Sequence, residues 1–233
     1  MQSMIVQAGG SSSPSASTSS RLRRKKGSSR LGHGLKQNDG SIAVTERPSS
    51  FNLMITGQIE LAQTESWMSS QLYCRYTFSY GQDWAVAHGM TEGTTQIACS
   101  RREEGKSINV FNFPIEVSFQ STNTHNWPRL CLSVYGIDFL GRDVLRGYAS
   151  VLVPVNPGRH TKLVPTYRPV SGNVFQQFAA TLTGTQPEYH DTKITARGEG
   201  RSLTRVVSEK NLTLKINLVT TRKDFQSFGY VSK

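Results

Sequence analysis

Cysteine is scarce in this chain: three in 233 residues, Cys74, Cys99 and Cys131, widely spaced and odd in number. No disulfide framework and no zinc-ligand spacing can be built from them. Long apolar runs are missing as well. No stretch approaches the roughly 18–20 residues that cross a bilayer as a helix. No basic stretch followed by an apolar core marks a secretory signal at the N-terminus. Composition therefore excludes a helical membrane span, a disulfide-stapled miniprotein and a coiled coil, and predicts a soluble, intracellular, reduced protein. Aromatic residues are absent from the first fifty positions; all 21 lie at or after Phe51.

What the chain does have is basic charge, unevenly placed. Lys plus Arg number 27 against 16 Asp plus Glu, a formal net charge of +11. Residues 1–47 carry eight basic and two acidic residues, and the first fifty include thirteen serines. A segment this polar cannot bury enough apolar surface to offset its ordering entropy. Residues 1–47 are therefore expected to be a disordered Ser/Gly-rich basic tail, and 48–233 a single domain. The run Arg21-Leu22-Arg23-Arg24-Lys25-Lys26 suits nucleic acid, anionic lipid or an import receptor, or is simply a solvated stretch. No aromatic interleaves it, so no nucleic-acid partner is expected.

From residue 51 onward the apolar pattern has period two. Phe51, Leu53, Ile55 and Ile59 share one face, as do Leu72, Cys74, Tyr76, Phe78 and Tyr80. Ile115, Val117 and Phe119 follow, then Leu130, Leu132 and Val134, then Val151 and Val153, and lastly Leu212, Leu214, Ile216 and Leu218. Gly81-Gln82-Asp83, Asn126-Trp127-Pro128, Gly141-Arg142-Asp143 and Asn156-Pro157-Gly158 punctuate these runs as turns. About eight short, half-polar strands predict an all-β antiparallel sandwich. One short helix is predicted where Val174, Phe175, Phe178 and Leu182 recur at a spacing near 3.6, with Gly184 to end it. Residues 185–203 show neither period and read as a long ordered loop.

Catalytic constellations are absent. No Gly-x-Ser-x-Gly elbow, Walker loop or dinucleotide-binding glycine motif occurs. His33, His88, His125, His160 and His190 lack metal spacing, and Cys74 and Cys131 sit inside strand patterns as small core or face residues. Trp84 and Trp127 beside turns read as packing anchors, and Gly136, Gly147 and Gly158 as positions of special backbone angle. No catalytic residue, cofactor site or metal site is assigned, and the protein is not expected to be an enzyme.

The segment from Val134 to Asp143, followed by Gly147-Tyr148 and Pro154, resembles the end of a strand, a binding loop and the next strand of a C2 domain. Calcium-binding C2 loops carry several aspartates, because a hard divalent cation wants six to eight oxygens. Here Gly136 stands where an aspartate is expected. Asp138 and Asp143 remain beside Arg142 and Arg146, and the other candidate loop supplies only Asp83 and Glu92. The expectation is a C2-like sandwich that does not use calcium, with a weak ion site at Asp138 and Asp143 left open.

A finer resemblance runs through the domain in order. It is carried by Gly57-Gln58-Ile59-Glu60, Leu72-Tyr73-Cys74, Tyr80-Gly81-Gln82-Asp83-Trp84, Asn112-Phe113-Pro114-Ile115 and Trp127-Pro128. Ser133-Val134-Tyr135-Gly136, Arg146-Gly147-Tyr148, Val153-Pro154, Pro157-Gly158-Arg159-His160, Pro187-Glu188-Tyr189, Gly198-Glu199-Gly200-Arg201 and Val219-Thr220-Thr221 complete it. Together they resemble the B9 domain family, C2-like domains of ciliary proteins; the tail falls outside the likeness. The resemblance implies a non-catalytic scaffold of the ciliary transition zone, at the base of the cilium on its cytoplasmic side, by the basal body. Its implied partners are other B9 proteins and the tectonic-type and Meckel-syndrome complex proteins. Its implied roles are ciliogenesis, the diffusion barrier for ciliary membrane proteins, and hedgehog signalling.

Charge adds one candidate surface. Residues 142–205 hold nine basic and four acidic residues. Arg142, Arg146, Arg159, Arg168 and Arg201, with Lys162, Arg197 and Arg205, are the candidate contacts for a partner or for anionic lipid. A calcium-independent peripheral membrane module is the alternative reading of the same residues.

Overall fold

The computed structural model describes residues 48–65, 71–138, 140–170, 188–196 and 205–230, with no side-chain description for 170 or 205–211. The expected tail at 1–47 and the expected helix at 174–184 lie outside the described residues.

Ten strands form among the described residues: β1 (Phe51–Thr64), β2 (Gln71–Ser79), β3 (Trp84–Gly89), β4 (Glu92–Thr94), β5 (Ala98–Glu103), β6 (Lys106–Ser121), β7 (Arg129–Ile137), β8 (Asp143–Leu152), β9 (Gly158–Val170) and β10 (Arg205–Lys223). Every pairing is antiparallel. The strand path runs β1-β10-β9-β8-β7-β2-β5-β6, and β6 pairs back onto β1, so the sheet closes into a barrel-like sandwich. β3 hangs on β6 and β4 on β2. Closure removes most free edges. Long, well-patterned strands form its centre: β1 is flanked along nearly its whole length by β10 and β6.

The expected alternation holds in the core. Phe51, Leu53, Ile55, Ile59, Leu72, Cys74, Phe78, Val117, Phe119, Leu130, Leu132, Val134, Leu214, Ile216 and Leu218 are all fully buried. The expected strand count of about eight is low by two among the described residues. β4 has only three residues, and β3 and β5 are exposed at five of their six positions or carry charge, so neither shows a two-fold apolar pattern.

Two details position the strands. Glu60 bulges out of β1 between Ile59 and Leu61 in both pairings, and Asn112 on β6 takes φ 45° opposite it. The bulged Glu60 carboxylate accepts from Lys215 Nζ at 2.7 Å and from the Asn217 amide on β10. At Gly57 the strands come close: a Cβ there would lie 2.1 Å from the Asn217 carbonyl oxygen.

One end of the sandwich is sealed by aromatic rings. Trp84 and Trp127 meet edge-on at 5.2 Å, and each indole N–H donates to a backbone carbonyl, of His125 and Val153 respectively, at 2.9 Å. Both tryptophans are thus packing anchors. After β10 a 3-10 turn, Phe225–Phe228, folds back so that the Phe225 and Tyr230 rings lie 4.3 and 5.6 Å from Phe51.

Residues 185–203 were expected as an ordered loop, and the described part, 188–196, does more than connect. Its 3-10 turn, Thr192–Thr195, is capped by the Asp191 side chain, which accepts from the Lys193 N–H. It lies over the outer face of β7. For that reason Cys131, Ser133 and Tyr135 are buried as well as Leu130, Leu132 and Val134. A second cluster of Tyr73, Tyr135, Leu145 and Tyr148, backed by Tyr167 and Tyr189, fills this layer.

Candidate functional site

The β7–β8 connection is where a C2 domain would hold calcium. Here Asp138 closes the turn on itself. Its Oδ1 accepts from the backbone N–H groups of Leu140 and Arg142, both at 2.9 Å. Its Oδ2 accepts from Arg142 Nε at 2.9 Å and meets Arg142 Nη2 at 2.8 Å. The Arg142 N–H bond first, then the Arg142 guanidinium and the Leu140 N–H, favour the ionised carboxyl and hold it below its ordinary range against opposing desolvation. Both oxygens of Asp138 are therefore committed to an internal cation and two amides.

Asp143 lies on the Tyr73 side, where, after burial, its charge helps raise the Tyr73 pKa. Asp83 accepts from Asn123 Nδ2 at 3.3 Å, and Glu92 lies away on β4. Among the described residues no three His, Cys, Asp or Glu side chains converge as metal ligands. Gly136 has its own reason: a Cβ there would lie 2.6 Å from Arg146 Nε and 3.1 Å from a Leu72 methyl. Gly147 is similar, its missing Cβ leaving room for Thr166 Oγ1 at 2.7 Å. Of the three glycines expected to take special angles only Gly158, at φ 119°, does so. Gly136 and Gly147 are close-approach glycines.

The candidate basic residues that are described stand on the β7–β8 connection, β8 and β9. Arg142 is held by Asp138. Arg146 is half-buried against Gly136, and Arg168 is half-buried on β9 opposite Val207; both are engaged within the fold. Arg159 and Lys162 are exposed on β9. β9 carries Arg159 and Arg168 nine residues apart, about 30 Å along a strand. Arg197 and Arg201 lie outside the described residues, as does the side chain of Arg205.

A cation site that the charge pattern did not predict lies on the covered face. The Tyr73 and Tyr135 rings stack at 5.3 Å and 14°, and the Arg75 guanidinium sits 5.7 and 5.0 Å from their centroids. The Tyr135 hydroxyl lies 3.4 Å from a Glu188 carboxylate oxygen. Burial and then Glu188 push its pKa up to about 12. Beside this stack, Arg75, Thr77, Glu92, Thr94, His190 and Lys193 line a groove of about 630 Å³ between β2, β4 and the 3-10 turn. The signal in the sequence was Leu72-Tyr73-Cys74-Arg75: an aromatic on the face opposite the core residues, flanked by a cation.

Neither the loop nor the groove brings together a nucleophile and a base. Burial raises the Cys74 thiol to about 12, and Cys131 is raised for the same first reason. A thiol held protonated in this way does not act as a nucleophile. The geometry is that of a polar-faced sandwich whose conspicuous side chains hold one another.

Comparison with known proteins agrees. The family described as "Ciliary basal body-associated, B9 protein" matches residues 53–219, from β1 through most of β10. The chain belongs to the B9 family. It is 49% identical over 183 residues to B9 domain-containing protein 1 of Mus musculus, covering 78% of this chain and 87% of the relative. The human protein of that name is 47% identical over 187 residues, covering 80% and 89%. B9 domain-containing protein 2 of Xenopus laevis is 27% identical over 161 residues, covering 69% and 88%. The B9 match spans the bulge at Glu60, the close approach at Gly57 and the closed Asp138 turn. This B9 chain has a cilium-related role, tied to the basal body at the base of the cilium.

Proposed function

We propose that this B9 protein is a non-catalytic scaffold of the ciliary transition zone. It assembles with other B9 domain proteins and with tectonic-type and Meckel-syndrome complex proteins, on the cytoplasmic side of the cilium base. There it supports ciliogenesis and the barrier that controls entry of membrane proteins into the cilium, with hedgehog signalling downstream. The observation that carries this reading is the match to basal-body-associated B9 proteins over residues 53–219, nearly the whole sandwich. The internal commitments of the site support it: Asp138 to Arg142, Arg75 to two tyrosines, and both core thiols to burial. A sandwich built so presents faces and edges to partners rather than a reaction centre.

The test uses the tagged full chain in ciliated cells, with affinity purification, mass spectrometry and imaging. Recovery of other B9 proteins and tectonic-type membrane proteins, with signal between basal body and axoneme, is the expected result. A chain spread through the cytosol and recovered without any B9 partner defeats the proposal.

A further inference from the structure

The corner between β8 and β9 is held at one position, Tyr148 opposite Tyr167. Before that point β9 pairs with β10 alone, from Gly158 opposite Thr220 to Pro165 opposite Thr213. Beyond it β8 pairs with β7 alone. Among the described residues, therefore, no strand pairs with the other side of 158–165. In an antiparallel ladder every second residue turns its N–H and C=O away from its partner. That side offers a row of backbone donors and acceptors to whatever lies beside it.

Its charge is of one sign. From Val151 through Tyr167 there is no Asp or Glu, while Arg159 and Lys162 are exposed. The two cations lie on opposite faces of β9. Arg159 shares the outer face with Thr161, whose hydroxyl donates to Asn217 Oδ1 at 2.7 Å. Lys162 is on the other face, that of Val164, which packs against the core. It stays in solvent because β8 has already diverged. Leu163, next to Lys162 in the strand, is 67% exposed.

We propose that the 158–165 edge of β9 is a strand-addition site for an extended acidic segment of a partner protein. The backbone supplies the hydrogen bonds of β-augmentation and the two cations select the occupant. A second copy of the same edge would bring only more positive charge and offers neither Arg159 nor Lys162 a counter-charge. A flat anionic membrane reaches one face of the strand, whereas an extended segment alternates its side chains as β9 does and reaches both. The inference stands on β9 alone and does not depend on the ciliary reading. Failure of the purification above leaves it intact, and the reverse also holds.

The test titrates the full chain with a fluorescein-labelled ten-residue peptide of Glu, Thr and Val. Three controls accompany it: the peptide with Lys in place of Glu, the Glu peptide methylated at every backbone nitrogen, and vesicles of phosphatidylserine and phosphatidylcholine. The Glu peptide is expected to bind saturably and to slow amide exchange at residues 158–165. Methylation is expected to abolish binding, and the Arg159→Glu, Lys162→Glu double variant to weaken it about tenfold. Should that variant not fold, as judged by circular dichroism, the exchange and methylation arms on the unmodified chain decide. No saturable binding, binding that survives methylation, or protection confined to other strands each overturns the proposal. So does vesicle binding that the double variant loses while the peptide fails to bind.

Discussion

At the scale of single residues, the departure from a calcium-binding loop is a packing choice as much as a charge choice. Gly136 leaves room for the Arg146 side chain, and Asp138 is saturated by Arg142 and two amides. Restoring the missing carboxylate as Gly136→Asp is therefore expected to cost about 2–3 kcal/mol by overpacking. It creates no calcium site, because Asp138 stays clamped. Urea denaturation measures the first effect. A calcium titration of the variant's melting temperature checks the second, and a calcium-dependent rise would contradict it. Glu60 makes a pH-dependent contribution. Its pKa is held down, first by the Lys215 hydrogen bond, against opposing desolvation. A depressed carboxylate binds fewer protons in the folded than in the unfolded chain, so its contribution is present above the unfolded value and fades as pH falls through the folded one. Glu60→Gln is expected to lose up to about 1 kcal/mol at pH 7 and to lose less on acidification than the parent. Denaturant midpoints from pH 7 to pH 3 measure this.

At the scale of elements, the segment 188–196 explains why β7 is buried on both faces. Tyr148 is fully buried under it and its hydroxyl accepts from the Tyr189 N–H at 3.0 Å. Burial raises the Tyr148 pKa, the Tyr189 N–H opposes that, and Tyr135 and Glu188 add to the rise, so the hydroxyl stays protonated throughout the working range. Tyr148→Phe is expected to cost about 1 kcal/mol and to speed amide exchange at Tyr189 while leaving the inner core unchanged. Uniform acceleration of exchange across the strands would show instead that this layer and the inner core unfold together. This element was only half legible in sequence. Its aromatics were visible as Pro187-Glu188-Tyr189, but no local period marks a segment that gains its order from the sheet it covers. The same reasoning applies to β9. Its run Arg159-His160-Thr161-Lys162-Leu163 has no apolar alternation, and only pairing with β10 makes it a strand.

At the scale of the whole molecule, the start of β1 and the segment after β10, far apart in sequence, meet in one aromatic seal. Phe51 opens β1, and Phe225, Phe228 and Tyr230 follow β10, with ring centroids 4.3–5.6 Å from it. The Arg222 guanidinium adds a contact 5.4 Å from the Phe225 ring. The β1–β6 ladder closes the sheet, and the seal packs on Phe51, where that ladder begins. Phe225→Ala is expected to cost about 3–4 kcal/mol and to lower the melting temperature by many degrees. Removing residues 224–233 should do at least as much. A C-terminal truncation that melts with the parent would mean that the seal is decorative.

Legible along the chain were the all-β class, the faces of β1, β2, β6, β7 and β10, the anchor role of Trp84 and Trp127, and the likeness to the B9 family. The class and the faces are carried by period-two alternation, the anchor role by indoles set beside turns, and the family by the ordered motifs that resemble it. The folded arrangement was needed for the strand count, the covered outer face of β7, the Arg75 stack, the reasons for Gly136 and Gly147, and the hold of Asp138 on Arg142. All but the last depend on what lies opposite across a ladder or layer, between residues tens to more than a hundred positions apart. Spacing along the chain carries no trace of which strand will stand there, and so no trace of whether an arginine meets a carboxylate, a ring or open solvent.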